Sequence, residues 1–236
     1  MKLSVLASGS KGNCSYIETK EHHFLVDLGT TSLYAEKKLK ELAIDPSSIE
    51  FIFVTHSHVD HIAGLRVFQK KYHPTIVTTE KIYLEIVKEF PIEQYILLEK
   101  KATFDDFEVD FFKTSHDTEE SLGYIFTSQE KSIVYVTDTR YINQKYFKKL
   151  TNKELYVFES NHDIEMLLNG SYPYPIKQRI LGDRGHLSNK DSAYYLSNFI
   201  GDKTKTVILI HLSEENNRED LALESLHKAV KKRSIS

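Results

Sequence analysis

The feature of this sequence that most constrains its fold is a cluster of histidine and aspartate side chains directly after an apolar run. The segment Phe53-Val54-Thr55-His56-Ser57-His58-Val59-Asp60-His61 places three histidines and one aspartate within six residues. His56 and His58 stand two residues apart and face the same way in an extended chain. Asp60 and His61 fall where a helix is predicted to begin. So many good ligands at the end of a buried strand predict a metal site rather than a chance polar turn.

The composition is that of an ordinary globular chain, and it excludes several classes of protein. The 236 residues are 40% hydrophobic, which is enough for a core. The net charge of −3 is too negative for nucleic-acid binding by overall charge alone. No apolar run approaches the roughly 20 residues of a membrane-spanning helix. One cysteine, Cys14, excludes an intrachain disulfide and a cysteine-rich zinc site. We therefore expect a cytoplasmic protein.

Short β-rich runs recur along the chain, and amphipathic helical patterns lie between the later ones. No linker, repeat or low-complexity segment divides the sequence. We predict two β-sheets with helices packed outside them, in a single α/β domain covering residues 1–236. The predicted strands are residues 3–7, 15–19, 24–28, 51–55, 75–78, 107–112, 123–127, 132–137, 154–158 and 206–211. The predicted helices are residues 61–72, 79–90, 191–200 and 219–230.

The cluster and several other segments resemble one known family. The run from His56 to His61 matches the His-x-His-x-Asp-His signature of the metallo-β-lactamase superfamily. Residues 6–14, 25–29, 160–163, 185–189 and 211–217 together are similar to its YycJ/VicX/WalJ subfamily. The resemblance covers most of the chain, from Leu3 to about Asn217. It implies an α/β (α+β) fold, the αββα metallo-β-lactamase sandwich of two mixed β-sheets flanked by helices, with a two-metal site at one edge.

The resemblance also implies three ligands outside the cluster, namely His116, Asp138 and His211. Each ends or follows a predicted apolar strand. The implied cofactors are two divalent metal ions: His56, His58 and His116 hold the first, Asp60, His61 and His211 hold the second, and Asp138 bridges them. All seven donors are nitrogen or oxygen, which fits zinc or manganese and leaves the choice open.

Such a site suits hydrolysis of a phosphodiester by a hydroxide bound to both metals. The subfamily resemblance implies a 5′→3′ exonuclease acting on DNA, and single-stranded DNA is the expected nucleic-acid substrate. The departing sugar oxygen needs a proton, for which His186 and His162 are the candidates, and Asp60 is counted with them as catalytic. Both histidines have an alternative interpretation as loop residues at helix ends.

Substrate contacts are less well determined by the sequence. We predict Asn13, Arg184, Ser188 and Asn189 as substrate-binding residues, although Ser188 or Asn189 would also make a good helix cap. The segment 171–179 joins tyrosines to positive charge, and either stacks bases or is an ordered surface loop.

Two further expectations concern neighbouring residues of the first strands. Asp27 either orients a metal ligand without itself binding the metal, or is a turn residue. The pair His22-His23 opens a strand at a turn, and we expect it to be solvated.

Two other functions stay open. A small-molecule hydrolase, such as a cyclic phosphodiesterase or a thioesterase, would use the same metals and turn over a soluble phosphodiester without cleaving oligonucleotides. A non-catalytic regulatory protein would hold fewer than one divalent ion per chain. The sequence leaves the native metal, the cleavage polarity and the oligomeric state open.

Overall fold

Apolar runs of three to seven residues form twelve strands in this computed structural model, which describes residues 1–129 and 131–234. The first six strands are β1 (Lys2–Ala7), β2 (Cys14–Glu18), β3 (His23–Val26), β4 (Phe51–Phe53), β5 (Thr75–Thr78) and β6 (Tyr95–Leu97). They form one sheet in the order β1-β2-β3-β4-β5-β6. Strands β1 to β3 pair antiparallel and β3 to β6 pair parallel, so the sheet is mixed.

The other six strands form a second sheet, in the order β12-β11-β10-β9-β8-β7. They are β7 (Ala102–Phe104), β8 (Phe107–Lys113), β9 (Leu122–Ser128), β10 (Lys131–Val136), β11 (Leu155–Glu159) and β12 (Thr206–Ile210). Strands β7 and β8 are antiparallel, whereas β10, β11 and β12 are parallel. Val136 pairs with Phe158, and Glu159 pairs with Ile210. The carboxyl ends of these three strands therefore meet at one edge.

Nine α-helices connect the strands of the described chain. They are α1 (Ser32–Glu41), α2 (Val59–Ile62), α3 (Leu65–Tyr72), α4 (Glu80–Glu89), α5 (Phe147–Leu150), α6 (Ile164–Asn169), α7 (Tyr174–Leu181), α8 (Asn189–Phe199) and α9 (Glu219–Ser234). The prediction of two mixed sheets flanked by helices is confirmed. None of the helices in the described residues is both long enough and apolar enough to cross a membrane.

The chain forms two compact units. The first comprises Met1–Phe111, Thr118–Glu120 and Thr127–Glu130, and the second comprises Phe112–Asp117, Ser121–Phe126 and Lys131–Ser236. Phenylalanine rings fill the core of the first unit, where Phe24 stacks on Phe107 at 4.9 Å between centroids. In the second unit, buried side chains of β10 and β11 pack against α8, including Val136, Phe158 and Phe199.

Several elements differ from those predicted. All ten predicted strands are present, nine of them with shifted ends, but β6, β7, α1, α5 and α6 were not expected. The predicted helix over residues 61–72 is two helices separated around Gly64, whose N–H donates to the carbonyl of Leu28 at 2.9 Å. A side chain at Gly64 would lie 2.3 Å from the carbonyl oxygen of Thr30, so glycine permits this close approach.

Segment 171–179, for which an ordered surface loop was one of two interpretations, contains most of helix α7 and is therefore not a loop. Pro175 lies in the first turn of the helix, where its missing N–H costs no hydrogen bond.

Candidate metal centre

The ligand cluster of the first unit follows β4 and enters α2. His56 and His61 are fully buried, and their ring centroids lie 4.0 Å apart. The ring of His58 lies 4.8 Å from that of His56. Asp60 is in the first turn of α2, with its side chain 26% exposed. The predicted ligands of this segment therefore lie together.

Buried oxygen atoms fix which nitrogen of these histidines carries the proton. His61 Nδ1 donates to Asp27 Oδ2 at 2.7 Å, and His56 Nδ1 lies 3.0 Å from Thr55 Oγ1. The hydroxyl of Thr55 donates to Asp27 at 2.8 Å, so it accepts from His56. In both histidines the lone pair is thus on Nε2, as in a metal-ligating imidazole whose other nitrogen is held by an oxygen. Asp27 thus orients the ring of His61, and burial raises the pKa of the Asp27 carboxyl group.

Asn13, which directly precedes β2, supports this cluster. It is 1% exposed, its backbone N–H donates to Asp60 O at 2.8 Å, and its side-chain amide lies 3.0 Å from His61 Nε2. These contacts give Asn13 a part in placing the ligand loop, and its burial leaves little surface for the predicted contact with substrate.

The second unit contains its own cluster at the edge where β10, β11 and β12 end. Asp138, Glu159, His186 and His211 each offer a ligand atom, and these atoms lie within 4.8 Å of one another. His211 Nδ1 lies 2.8 Å from Asp138 Oδ1 and 3.1 Å from Glu159 Oε1. Burial lowers the pKa of His211, but the two carboxylates outweigh it and the net pKa is raised to about 10.

His116 belongs to the same cluster. Its Nε2 lies 3.7 Å from Asp138 Oδ2, and its Nδ1 lies 3.3 Å from the carbonyl oxygen of Gly185. The carbonyl can only accept, so the proton is on Nδ1 and the lone pair is on Nε2. Burial lowers the pKa of His116. The three ligands implied by resemblance in this unit are thus close together.

Three carboxylate or imidazole residues of the two clusters adopt left-handed backbone conformations. Asp27, Asp138 and His211 have φ values of 59°, 32° and 55°. Each directly follows a strand or lies within two residues of its end, where the chain turns. Such conformations cost free energy in residues other than glycine, and they persist where the surrounding contacts hold them.

Glu159 is the residue that the sequence interpretation missed. It is fully buried and accepts from His186 Nδ1 at 2.6 Å and from the backbone N–H of Thr139 at 2.9 Å. Burial raises the pKa of Glu159, but His186 and His211 outweigh it and the net pKa is lowered, so it is ionised. Glu159 ends an apolar strand, a position similar to those of Asp138 and His211, which the resemblance implied.

The two predicted proton donors occupy different environments. Burial lowers the pKa of His186, but Glu159 and Asp138 outweigh it, so the net pKa is raised and favours the protonated ring. His162 is 1% exposed, and neither ring nitrogen has a hydrogen-bond partner among the described residues. Burial lowers the pKa of His162 to about 4. His186 is therefore the better acid at neutral pH.

The remaining predicted substrate residues differ in burial: Ser188 and Asn189 are buried, whereas Arg184 is exposed. Ser188 is the N-cap of α8, where it accepts from the backbone N–H of Asp191, and Asn189 donates to Asn217 at 2.7 Å. Both are buried and hold the loop that carries His186. Arg184 is exposed.

His22 was expected to be solvated, and that expectation was wrong. Its Nδ1 lies 2.9 Å from Glu50 Oε2, its Nε2 lies 3.1 Å from Asp105 Oδ2, and the residue is only 8% exposed. The partners are distant in sequence, so the local turn pattern gave no sign of them.

Each cluster has the character of a divalent metal site. The donors are imidazole nitrogens and carboxylate oxygens, and buried oxygen atoms hold His56, His61 and His116 in the tautomer that presents Nε2. Asp138 and Glu159 add two buried carboxylates to the second cluster, and negative charge of this kind favours a bound cation.

Comparison with known proteins agrees with this chemistry. Residues 7–211 match the model of the metallo-beta-lactamase superfamily. The chain is 37% identical over 240 residues to exodeoxyribonuclease YycJ of Bacillus anthracis, covering 100% of this chain and 91% of the relative. It is 38% identical over 228 residues to exodeoxyribonuclease WalJ of Streptococcus pneumoniae. This match covers 94% of this chain and 85% of the relative.

Solved structures show the same fold at low identity. The metallo-beta-lactamase fold protein YhfI of Bacillus subtilis superposes with a TM-score of 0.76 at 16% identity, covering 96% of this chain and 91% of that one. The short form of human tRNase Z superposes with a TM-score of 0.70 at 16% identity. The match covers 91% of this chain and 93% of tRNase Z.

Proposed function

This chain belongs to the metallo-β-lactamase superfamily and, within it, to the YycJ/WalJ subfamily, and from that premise we propose that it is a metal-dependent 5′→3′ exodeoxyribonuclease. The observation that carries the proposal is the near-full-length identity of 37–38% to two exodeoxyribonucleases. The two buried clusters of nitrogen and oxygen donors support it, because they suit a metal-dependent hydrolase.

We propose further that residues 1–236 act as one metallo-β-lactamase domain with two divalent ions, zinc or manganese. His56, His58 and His116 would hold one ion, Asp60, His61 and His211 the other, and Asp138 both. The fixed tautomers of His56, His61 and His116 support this assignment. When bound, the two ions would lower the pKa of a water toward neutrality and offset charge at the phosphate.

His186 has the proton-donating role in this proposal. Its Nδ1–H is held by Glu159 Oε1 at 2.6 Å, which orients the ring and favours its protonated form. The proton on Nε2 is then available to the departing sugar oxygen. The acid is needed only where the leaving group is a poor one. Loss of His186 should therefore slow cleavage of DNA much more than cleavage of an ester with a good leaving group. His162 is the second candidate. Its pKa of about 4 leaves the ring without the extra proton at neutral pH, so it is a less suitable proton donor than His186.

The proposed substrate is single-stranded DNA in the cytoplasm. The names of the two relatives support DNA, and the modest net charge of −3 favours attraction of the strand by a local site over attraction by the whole surface.

The experiment uses metal-stripped protein reloaded with manganese or zinc, and single strands of DNA and RNA carrying a 3′ label. We expect stepwise release of nucleotides from the 5′ end of DNA, and about two metal ions per chain. Asp60→Ala and His61→Ala should abolish release, whereas Asp202→Ala, an exposed aspartate elsewhere, should not.

Three outcomes would contradict the proposal. Equal cleavage by the Asp60→Ala variant would make the activity a contaminant. Vigorous turnover of a soluble phosphodiester without oligonucleotide cleavage would point to a small-molecule hydrolase. Metal content below one ion per chain would point to a regulatory protein.

A further inference from the structure

Helix α7 and the end of α6 enclose an open cleft that the proposed chemistry does not use. It has a volume of about 560 Å³ and is lined by Leu168, Tyr174, Lys177, Gln178, Leu181 and Gly182. No residue of α7 is fully buried. The cleft is thus a surface feature of the second unit with an apolar lining and a few polar groups.

An aromatic ring stands at the cleft. Tyr174 is 70% exposed, and Leu168 beside it is 55% exposed. Gln178, one helical turn after Tyr174, donates from Nε2 to the Tyr174 hydroxyl at 3.0 Å. This hydrogen bond restrains the ring. An exposed and restrained aromatic face is the element on which single-stranded nucleic acids stack their bases.

Positive charge accompanies the ring. Residues 171–190 contain four lysine or arginine side chains and one aspartate, in a chain whose net charge is −3. Lys177 Nζ donates to the carbonyls of Leu168 at 2.7 Å and Gly170 at 2.8 Å. The two carbonyl groups therefore hold the ammonium group at the cleft. Lys177 is the cation among the residues that line the cleft, and its charge complements that of a phosphate group.

The same helix reaches the metal-ligand cluster of its own unit. Arg179 Nε donates to Asp117 Oδ2 at 2.6 Å, and Asp117 Oδ1 lies 3.3 Å from His116 Nε2. A strand held at that cluster is therefore within reach of α7.

We propose that the cleft between α6 and α7 is a base-binding subsite for single-stranded DNA, in which Tyr174 stacks on a base and Lys177 contacts an adjoining phosphate. The proposal rests on the proposed nuclease function. The occupant is a nucleic acid rather than a protein because an exposed aromatic ring and a lysine ammonium group stand together among the lining residues of the cleft, and none of those lining residues is acidic.

The test measures binding of a fluorescent, 5′-phosphorylated oligothymidine by anisotropy, with manganese present. Every protein carries Asp60→Asn so that the strand stays intact. Adding Tyr174→Ala should raise Kd about 5- to 100-fold, because stacking of one base contributes roughly that factor. Tyr174→Phe keeps the ring and should change Kd by less than about threefold. Tyr194→Ala, which removes a 55% exposed tyrosine from α8, should leave Kd unchanged.

A second strand with abasic sites isolates the stacking contribution. On that strand the effect of Tyr174→Ala should fall below about threefold, since no base remains to stack. In the active protein, Tyr174→Ala should raise KM for DNA and leave turnover of bis(p-nitrophenyl) phosphate unchanged.

The outcomes separate this proposal from the nuclease assignment. An unchanged Kd with Tyr174→Ala, in a protein that cleaves DNA, overturns the subsite alone. A protein that neither binds nor cleaves DNA overturns both. If Tyr174→Ala instead shifts the sedimentation coefficient without affecting Kd, the cleft is occupied by a second copy of the chain and the subsite is overturned.

Discussion

At the scale of single residues, buried carboxylates decide what the histidines can do. Asp27 holds the Nδ1 proton of His61, and Glu159 holds that of His186. Because Nδ1 carries the shared proton in each pair, Nε2 presents a lone pair in His61 and, in the protonated ring, a proton in His186. The two roles differ because the net pKa of His186 is raised by its carboxylate neighbours, whereas His61 also receives a hydrogen bond at Nε2 from Asn13.

The role of His186 can be tested with the leaving group. His186→Ala should lower kcat on DNA about 10²- to 10⁴-fold, the usual contribution of a general acid. Turnover of bis(p-nitrophenyl) phosphate should fall less than about tenfold, because p-nitrophenolate leaves without protonation. Metal content should stay the same. Equal losses on both substrates would exclude a proton-donating role, and His73→Ala serves as the exposed control.

The role of Asp27 can be tested by metal competition. Asp27→Asn keeps the shape and tolerates the left-handed backbone, but the amide is a poorer acceptor for His61. We expect metal affinity to weaken about 10- to 100-fold, as for other residues that orient a ligand. A chelator titration measures it, with Asp202→Asn as the control. Unchanged affinity would mean that Asp27 only shapes the turn.

At the scale of elements, close backbone contacts position the first cluster. The loop after β3 lies against α2: the N–H of Leu28 donates to His61 O at 2.9 Å, and that of Gly29 donates to Asn13 O at 2.8 Å. In the second sheet, the parallel register of β10, β11 and β12 brings Asp138, Glu159 and His211 to one edge.

Gly29 lies closer to the backbone of α2 than a larger residue could, and its substitution tests whether the loop after β3 must pack against α2. A Cβ atom there would lie 1.6 Å from the carbonyl oxygen of Asp60, so the backbone would have to move. Gly29→Ala should lower the free energy of unfolding by about 1–3 kcal/mol or more, measured with urea. Gly182→Ala, whose nearest contact would be 3.0 Å, is the control. Equal stability of both variants would show that the loops separate easily.

Element prediction succeeded where apolar residues follow a regular pattern and failed where they do not. Helix α1 buries only Ala35 and Leu39 among its apolar residues, so its stripe is thin. Strand β6 is three residues long and exposed throughout. Both owe their conformation to neighbours in the tertiary structure rather than to a local period.

At the scale of the whole molecule, metal binding and folding are linked. The proposed site takes ligands from residues as far apart as His56 and His211, and an unfolded chain does not hold them together. Any ion that binds only the folded chain stabilises it.

This linkage is measurable without an activity assay. At a manganese concentration about 100 times Kd, the free energy of unfolding should rise by about 2.7 kcal/mol per site, and EDTA should reverse the change. The rise should be smaller in His61→Ala. A stability that manganese does not alter in the wild type would exclude a metal site in the folded chain.

The sequence by itself determined that a buried strand ends in a metal-ligand cluster, because His56 to His61 are neighbours in the chain and a local pattern reveals them. It also determined most strands, since alternation and apolar runs are local. Only the tertiary structure decided that Glu159 supports His186, that Asp27 supports His61, and that His22 lies between two carboxylates. Those partners lie 27 to 83 residues apart, and no local periodicity encodes a hydrogen bond over such a separation.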